Sequence, residues 1–75
     1  MIAKWKISPE TGDASVRFSE DCAAYAGKLS NGRFRWELIH MGEFGWDKPH
    51  TGEANCLVMA QRAAEKKYRS TYGRK

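Results

Sequence analysis

The sequence predicts an α+β domain, a three- to four-stranded antiparallel sheet packed against one C-terminal helix, and three observations carry that reading. Apolar and polar side chains alternate with a period of two in residues 3–7, 14–19 and 33–41, as in half-buried strands. Asn31-Gly32 is the strongest two-residue hairpin signal a chain can carry. Residues 51–73 are free enough of proline and internal glycine to form one helix of about five turns.

Length and composition bound the rest. Seventy-five residues, 41% hydrophobic and 29% charged, make one domain spanning residues 1–75, close to the size below which a core needs help. No apolar run approaches the length of a membrane span, and the N-terminal MIAKWKI lacks the apolar block of a signal peptide. The expectation is a cytoplasmic protein with no membrane association.

In chain order, Ala3, Trp5 and Ile7 form one face of a first strand and Lys4 and Lys6 the other. Pro9 through Asp13, with Gly12, supply turn chemistry. Ala14, Val16 and Phe18 then alternate with Ser15, Arg17 and Ser19, completing a hairpin. Residues 19–27 read two ways. As a helix, Ser19 is the cap and Gly27 the stop; as a strand, residues 23–30 lead into the Asn31-Gly32 turn. The strand reading is favoured, with a short turn through 19–21. A two-residue turn would place Leu29 opposite Phe34, Gly27 opposite Trp36 and Tyr25 opposite Leu38. The Trp36 ring could then lie over bare glycine backbone.

RFRWELIHM, residues 33–41, is the longest strand signal, with Phe34, Trp36, Leu38 and His40 on one face. The next stretch, GEFGWDKPH, reads as a loop or short edge strand ending before Pro49. In the helix, Thr51 is the expected N-cap and Glu53 a first-turn acid, with Gly73 as the C-terminal cap. Leu57, Ala60, Ala64, Tyr68 and Tyr72 form the buried stripe, widened by Cys56, Val58 and Ala63. The alanines imply close approach to the sheet.

Cys22 and Cys56 have no metal-ligand spacing. They are expected as buried thiols, with a disulfide from sheet to helix as the alternative.

Chemistry-bearing motifs are sparse. The chain holds only His40 and His50 as histidines, no GxSxG, no phosphate loop and no HExxH. No catalytic residue, metal or cofactor is therefore expected, and the chain reads as a non-enzyme. His40 is expected as a hydrogen-bonded core or rim residue, His50 as solvated, and Trp5 and Trp36 as core.

Charge points elsewhere. Residues 1–60 hold seven Lys and Arg against eight Asp and Glu, whereas residues 61–75 hold six basic residues against Glu65 alone. Arg62, Lys66 and Arg69 form a stripe at helical spacing, extended by Lys67, Arg74 and Lys75. Such a surface either complements its own helix dipole or meets a partner. A second candidate contact is Phe44 and Trp46, in a glycine-rich loop beside Glu43 and Asp47, which either plugs the sheet edge or is exposed. A homodimer through that loop or through edge strand 3–7 would relieve the thin core.

RFRWELIHMG followed by TGEANCLVMAQRAAEKKY resembles the ending of small phage and mobile-element proteins. In these a tryptophan-bearing strand leads through a loop into an alanine-rich helix on an antiparallel sheet. The size class includes inhibitors of host defence, among them anti-CRISPR proteins, which work by binding a protein surface. The resemblance covers about half the chain and transfers no functional residue. It implies a non-catalytic inhibitor of a host protein or nucleoprotein complex, with direct nucleic-acid binding by the basic helix as the alternative. Many such inhibitors are acidic nucleic-acid mimics, whereas this chain ends basic, so it should meet an acidic partner patch or the nucleic acid of a complex.

Overall fold

The computed structural model describes residues 4–72. Six strands precede one helix: β1 (Lys6–Ile7), β2 (Ala14–Ser19), β3 (Cys22–Lys28), β4 (Phe34–Gly42), β5 (Gly45–Trp46), β6 (His50–Ala54) and α1 (Leu57–Thr71). The sheet is an antiparallel meander, β1-β2-β3-β4, whose last edge is shared by β5 at one end of β4 and β6 at the other. This is the expected α+β architecture with more strands than the sequence suggested, two of them only two residues long.

Helix α1 covers one face of the sheet. That face is built from small residues. Ala14, Ala24, Ala26, Ala54, Ala60 and Ala64 are buried, and Leu38 is the one large side chain fully enclosed among the described residues. Alanine on both surfaces lets the helix approach closely, as the sequence implied, but leaves little apolar area to bury. Larger rings therefore seal the flanks. Trp5 and Trp36 pack against both halves of the core, with Phe18, Tyr68 and Tyr72 around one and Phe34 and Leu57 around the other.

The structure moves the start of the helix. Thr51 is not its cap and Glu53 is not in its first turn; both lie in β6, where Thr51 pairs with Glu37 and Glu53 with Arg35. Four-residue alternation, Thr51 and Glu53 against Gly52 and Ala54, competes here with a capping signal. The strand wins because β4 would otherwise expose a long row of unpaired backbone groups. Cys56 becomes the N-cap without a side-chain hydrogen bond, and no acid stands in the first turn. Cys56 and Val58, expected in the buried stripe, are exposed. Both thiols are free, Cys22 buried and Cys56 exposed.

Residues 22–28 are strand, not helix, and the short turn before them lies where expected, at Glu20-Asp21. The next hairpin differs in register by one residue. Gly27 pairs with Arg35, Ala26 with Trp36 and Tyr25 with Glu37. The loop is 29–33 rather than two residues, closed by Leu29 N–H to the Arg33 carbonyl at 2.7 Å and Gly32 N–H to the Leu29 carbonyl at 3.1 Å. A one-residue slip exchanges the faces of a strand. Tyr25 thereby leaves the core side, and Cys22, Ala24 and Ala26 take it. The glycine opposite Trp36 is Gly52 in β6, where an added Cβ would lie 2.6 Å from the indole nitrogen.

Ala3, Gly73, Arg74 and Lys75 fall outside the described residues. Within the described residues, the first strand is Lys6–Ile7.

Candidate binding surfaces

Alternation along the six strands assigns a side to each strand residue, and the side away from α1 has no cover among the described residues. Register places Ser15, Tyr25 and Glu37 in one row across it, and Arg17, Ala23 and Ile39 in the next. Lys6 pairs with Ser15, and Met41 with Trp46. A shallow depression on this face brings Lys4, Lys6, Arg17, Tyr25, Ile39 and Trp46 together.

The β4–β5 hairpin extends that face into solvent. Its turn residues are Glu43 and Phe44, and it closes on Gly45 at φ +123, a backbone conformation that glycine alone adopts without strain. Phe44 is 97% exposed and Trp46 64%, and Tyr25 on the same side of the sheet is 50% exposed. Of the two expectations for this loop, the exposed one describes the structure.

Cations and acids are mixed here. Arg33 donates Nε–H to Glu53 Oε1 at 2.9 Å and Nη1–H to Asn55 Oδ1 at 3.0 Å. Lys4, Lys6, Arg17 and Arg35 make no ion pair among the described residues.

The helix side is unlike this. Arg62, Lys66 and Arg69 are exposed along α1, and Lys67 is half-buried toward β6. The structure does not bring this stripe together with Phe44 and Trp46, because the helix and the open sheet face lie on opposite sides of the sheet. It does add a cation no spacing rule could have assigned to the stripe. Lys48, in the β5–β6 connection, shares a groove with Lys66 and Lys67. The sequence distance between them hid this proximity.

Both histidines are built into the helix-facing side. His40 Nδ1 lies 2.7 Å from Asp47 Oδ2, and its ring stacks on Tyr72 with centroids 4.3 Å apart. His50 is half-buried rather than solvated, with Nε2 3.1 Å from the Tyr72 hydroxyl. Its position inside β6, opposite Leu38, explains the difference.

Cys22 pairs with His40 across β3 and β4, so a cysteine, a histidine and a carboxylate stand in sequence. Their chemistry opposes nucleophilic use. Burial, with the charge of Asp21 adding to it, pushes the Cys22 thiol up to about 11, whereas a reactive cysteine needs its thiolate favoured. The Tyr72 hydroxyl is also raised, first by burial and then by Asp47 and Cys22. Among the described residues, no group of three His, Cys, Asp or Glu side chains is arranged to hold a metal ion, and no helix is long and apolar enough to cross a membrane.

Fold and surfaces together describe an antiparallel sheet with one helix-covered face and one open, aromatic face. The chain matches no family model, no curated protein and no solved structure.

Proposed function

We propose that the chain is a small non-catalytic binding protein that acts in the cytoplasm, inhibiting a protein or nucleoprotein complex by covering one of its surfaces. The observation that carries this reading is the concentration of exposed Tyr25, Met41, Phe44 and Trp46 on one side of the molecule. Aromatic residues bordered by arginine are the usual anchors of protein interfaces. The partner surface that fits is an apolar depression, to receive Phe44 and Trp46, rimmed by carboxylates opposite Lys4, Lys6, Arg17 and Arg35. Charge pairs of that kind would steer the encounter, while the rings supply the affinity.

Affinity capture from native host lysate tests the reading when run beside two variants and with nuclease. Capture of a defined complex should survive nuclease and the charge reversal Arg62→Glu/Arg69→Glu, and fall at least tenfold with Phe44→Ala/Trp46→Ala, the loss typical of interface anchors. Equal capture by the loop variant would overturn it. Light scattering addresses the homodimer: a dimer that Trp46→Ala dissociates would make the partner a second copy of this chain.

A further inference from the structure

The two flanks of α1 differ in charge. Toward β1 and β2, Glu65 accepts a hydrogen bond from Trp5 Nε1–H at 2.7 Å, and Tyr68 stacks on Phe18 with centroids 4.3 Å apart. The single carboxylate of the helix is thus committed to that flank. Toward β6 the helix leaves an open groove of roughly 640 Å³ between its second half and the β5–β6 connection. Lys66 and Lys67 stand on the helix wall and Lys48 on the opposite one, with part of the half-buried Trp36 ring between them. No carboxylate lines the groove, and none of the three lysines makes an ion pair among the described residues.

We propose that this groove binds the backbone of a single-stranded nucleic acid, with Lys48, Lys66 and Lys67 on successive phosphates and the accessible Trp36 surface against a base. This goes beyond the protein-binding reading and uses the other side of the molecule. Three features select the ligand. Uncompensated lysines supply point charges that suit phosphate oxygens, and no carboxylate in the groove lining competes for them. An aromatic surface between cations is how sequence-tolerant single-strand sites are built. A duplex keeps its bases stacked inside and could not bring one to a recessed ring. Arg62 and Arg69 are exposed on α1 outside the groove lining and add only long-range attraction.

Fluorescence anisotropy with a labelled oligothymidylate of about a dozen nucleotides, near the upper range of single-domain site sizes, reads the proposal directly. The full chain should bind at low salt and weaken as salt rises. Lys48→Gln/Lys66→Gln/Lys67→Gln should weaken binding at least tenfold and flatten the logarithmic salt dependence by about 2, as expected for three lost phosphate contacts on a single strand. Lys4→Gln/Lys6→Gln/Arg17→Gln removes the same charge from the open sheet face and should change affinity by less than about threefold, the share of non-local charge. Circular dichroism checks that both variants fold. Absence of binding at low salt would overturn the proposal, as would equal losses in the two triple variants. Displacement by polyglutamate as effective as by unlabelled oligonucleotide would assign the groove to an acidic peptide instead. Phe44→Ala/Trp46→Ala should retain oligonucleotide binding, so failure of one surface is distinguishable from failure of the other.

Discussion

The two faces of this sheet solve opposite problems with the same strands. On the covered face, Ala24 and Ala26 of β3 are fully or almost fully buried, and the neighbouring strand contributes Leu38. On the open face, the intervening residue Tyr25 is half exposed, beside Gly27 and Glu37. Small side chains are needed where the helix comes closest; six rings seal the flanks of that contact, and the rest stand where nothing comes close. The lesson is that in this chain the bulk of a side chain is a poor guide to its burial. Three rings a thin core would have welcomed, Tyr25, Phe44 and Trp46, stand on the surface instead, which is a reason to look for a partner there.

Stability measurements can break that comparison. Leu38→Ala should show the largest effect, a loss of about 2–5 kcal/mol in urea unfolding, enough to leave so small a domain largely unfolded. Tyr25→Ala on the open face should cost less than about 1 kcal/mol. Similar losses at the two sites would mean that the open face is packed in solution. Overpacking offers the next test. Ala64→Leu should destabilise by about 1–3 kcal/mol by pushing α1 off the sheet, and the near-ultraviolet circular dichroism of the stacked Tyr68 and Phe18 should change with it.

The two thiols sharpen the same contrast at smaller cost. Cys56 should react with a thiol reagent in the native protein and Cys22 only after unfolding, since one is exposed and the other buried. The folded state holds the Cys22 proton up to about 11, above its ordinary value of 9.0. Its contribution to stability is therefore present in full below pH 9 and is lost as pH rises through 11. Cys22→Ala should flatten the alkaline arm of a stability-versus-pH profile, and an unchanged arm would place its origin elsewhere. The smallest expected effect is a gain. Cys56→Asp would supply the side-chain cap that α1 lacks and an acid at its positive end, stabilising by about 0.5–1 kcal/mol.

Local patterns made much of the fold legible. Alternation over residues 14–19 and 33–41 marked β2 and β4, and the Leu57, Ala60, Ala64, Tyr68 stripe marked the helix face, because side-chain period follows directly from backbone geometry. The Phe44-Trp46 loop and the Arg62, Lys66, Arg69 stripe were legible as candidate contacts, since aromatics among glycines and cations at helical spacing are local signals. The joining of Lys48 to Lys66 and Lys67 was not, because only the return of β6 along β4 brings those segments together.

What the sequence determined by itself was which stretches extend, which coil, and where charge accumulates. Tertiary structure decided the rest at two points where local signals were evenly matched. At Thr51, a capping residue and a strand alternation competed, and pairing with β4 chose the strand because unpaired backbone there is costly. At Tyr25, a two-residue turn and a five-residue loop differed by one step of register. The need to put Ala24 and Ala26 beneath the helix chose the loop, sending a tyrosine to the outer face. Register is a long-range choice: it is settled by what the face must pack against, and no short stretch of chain contains that information.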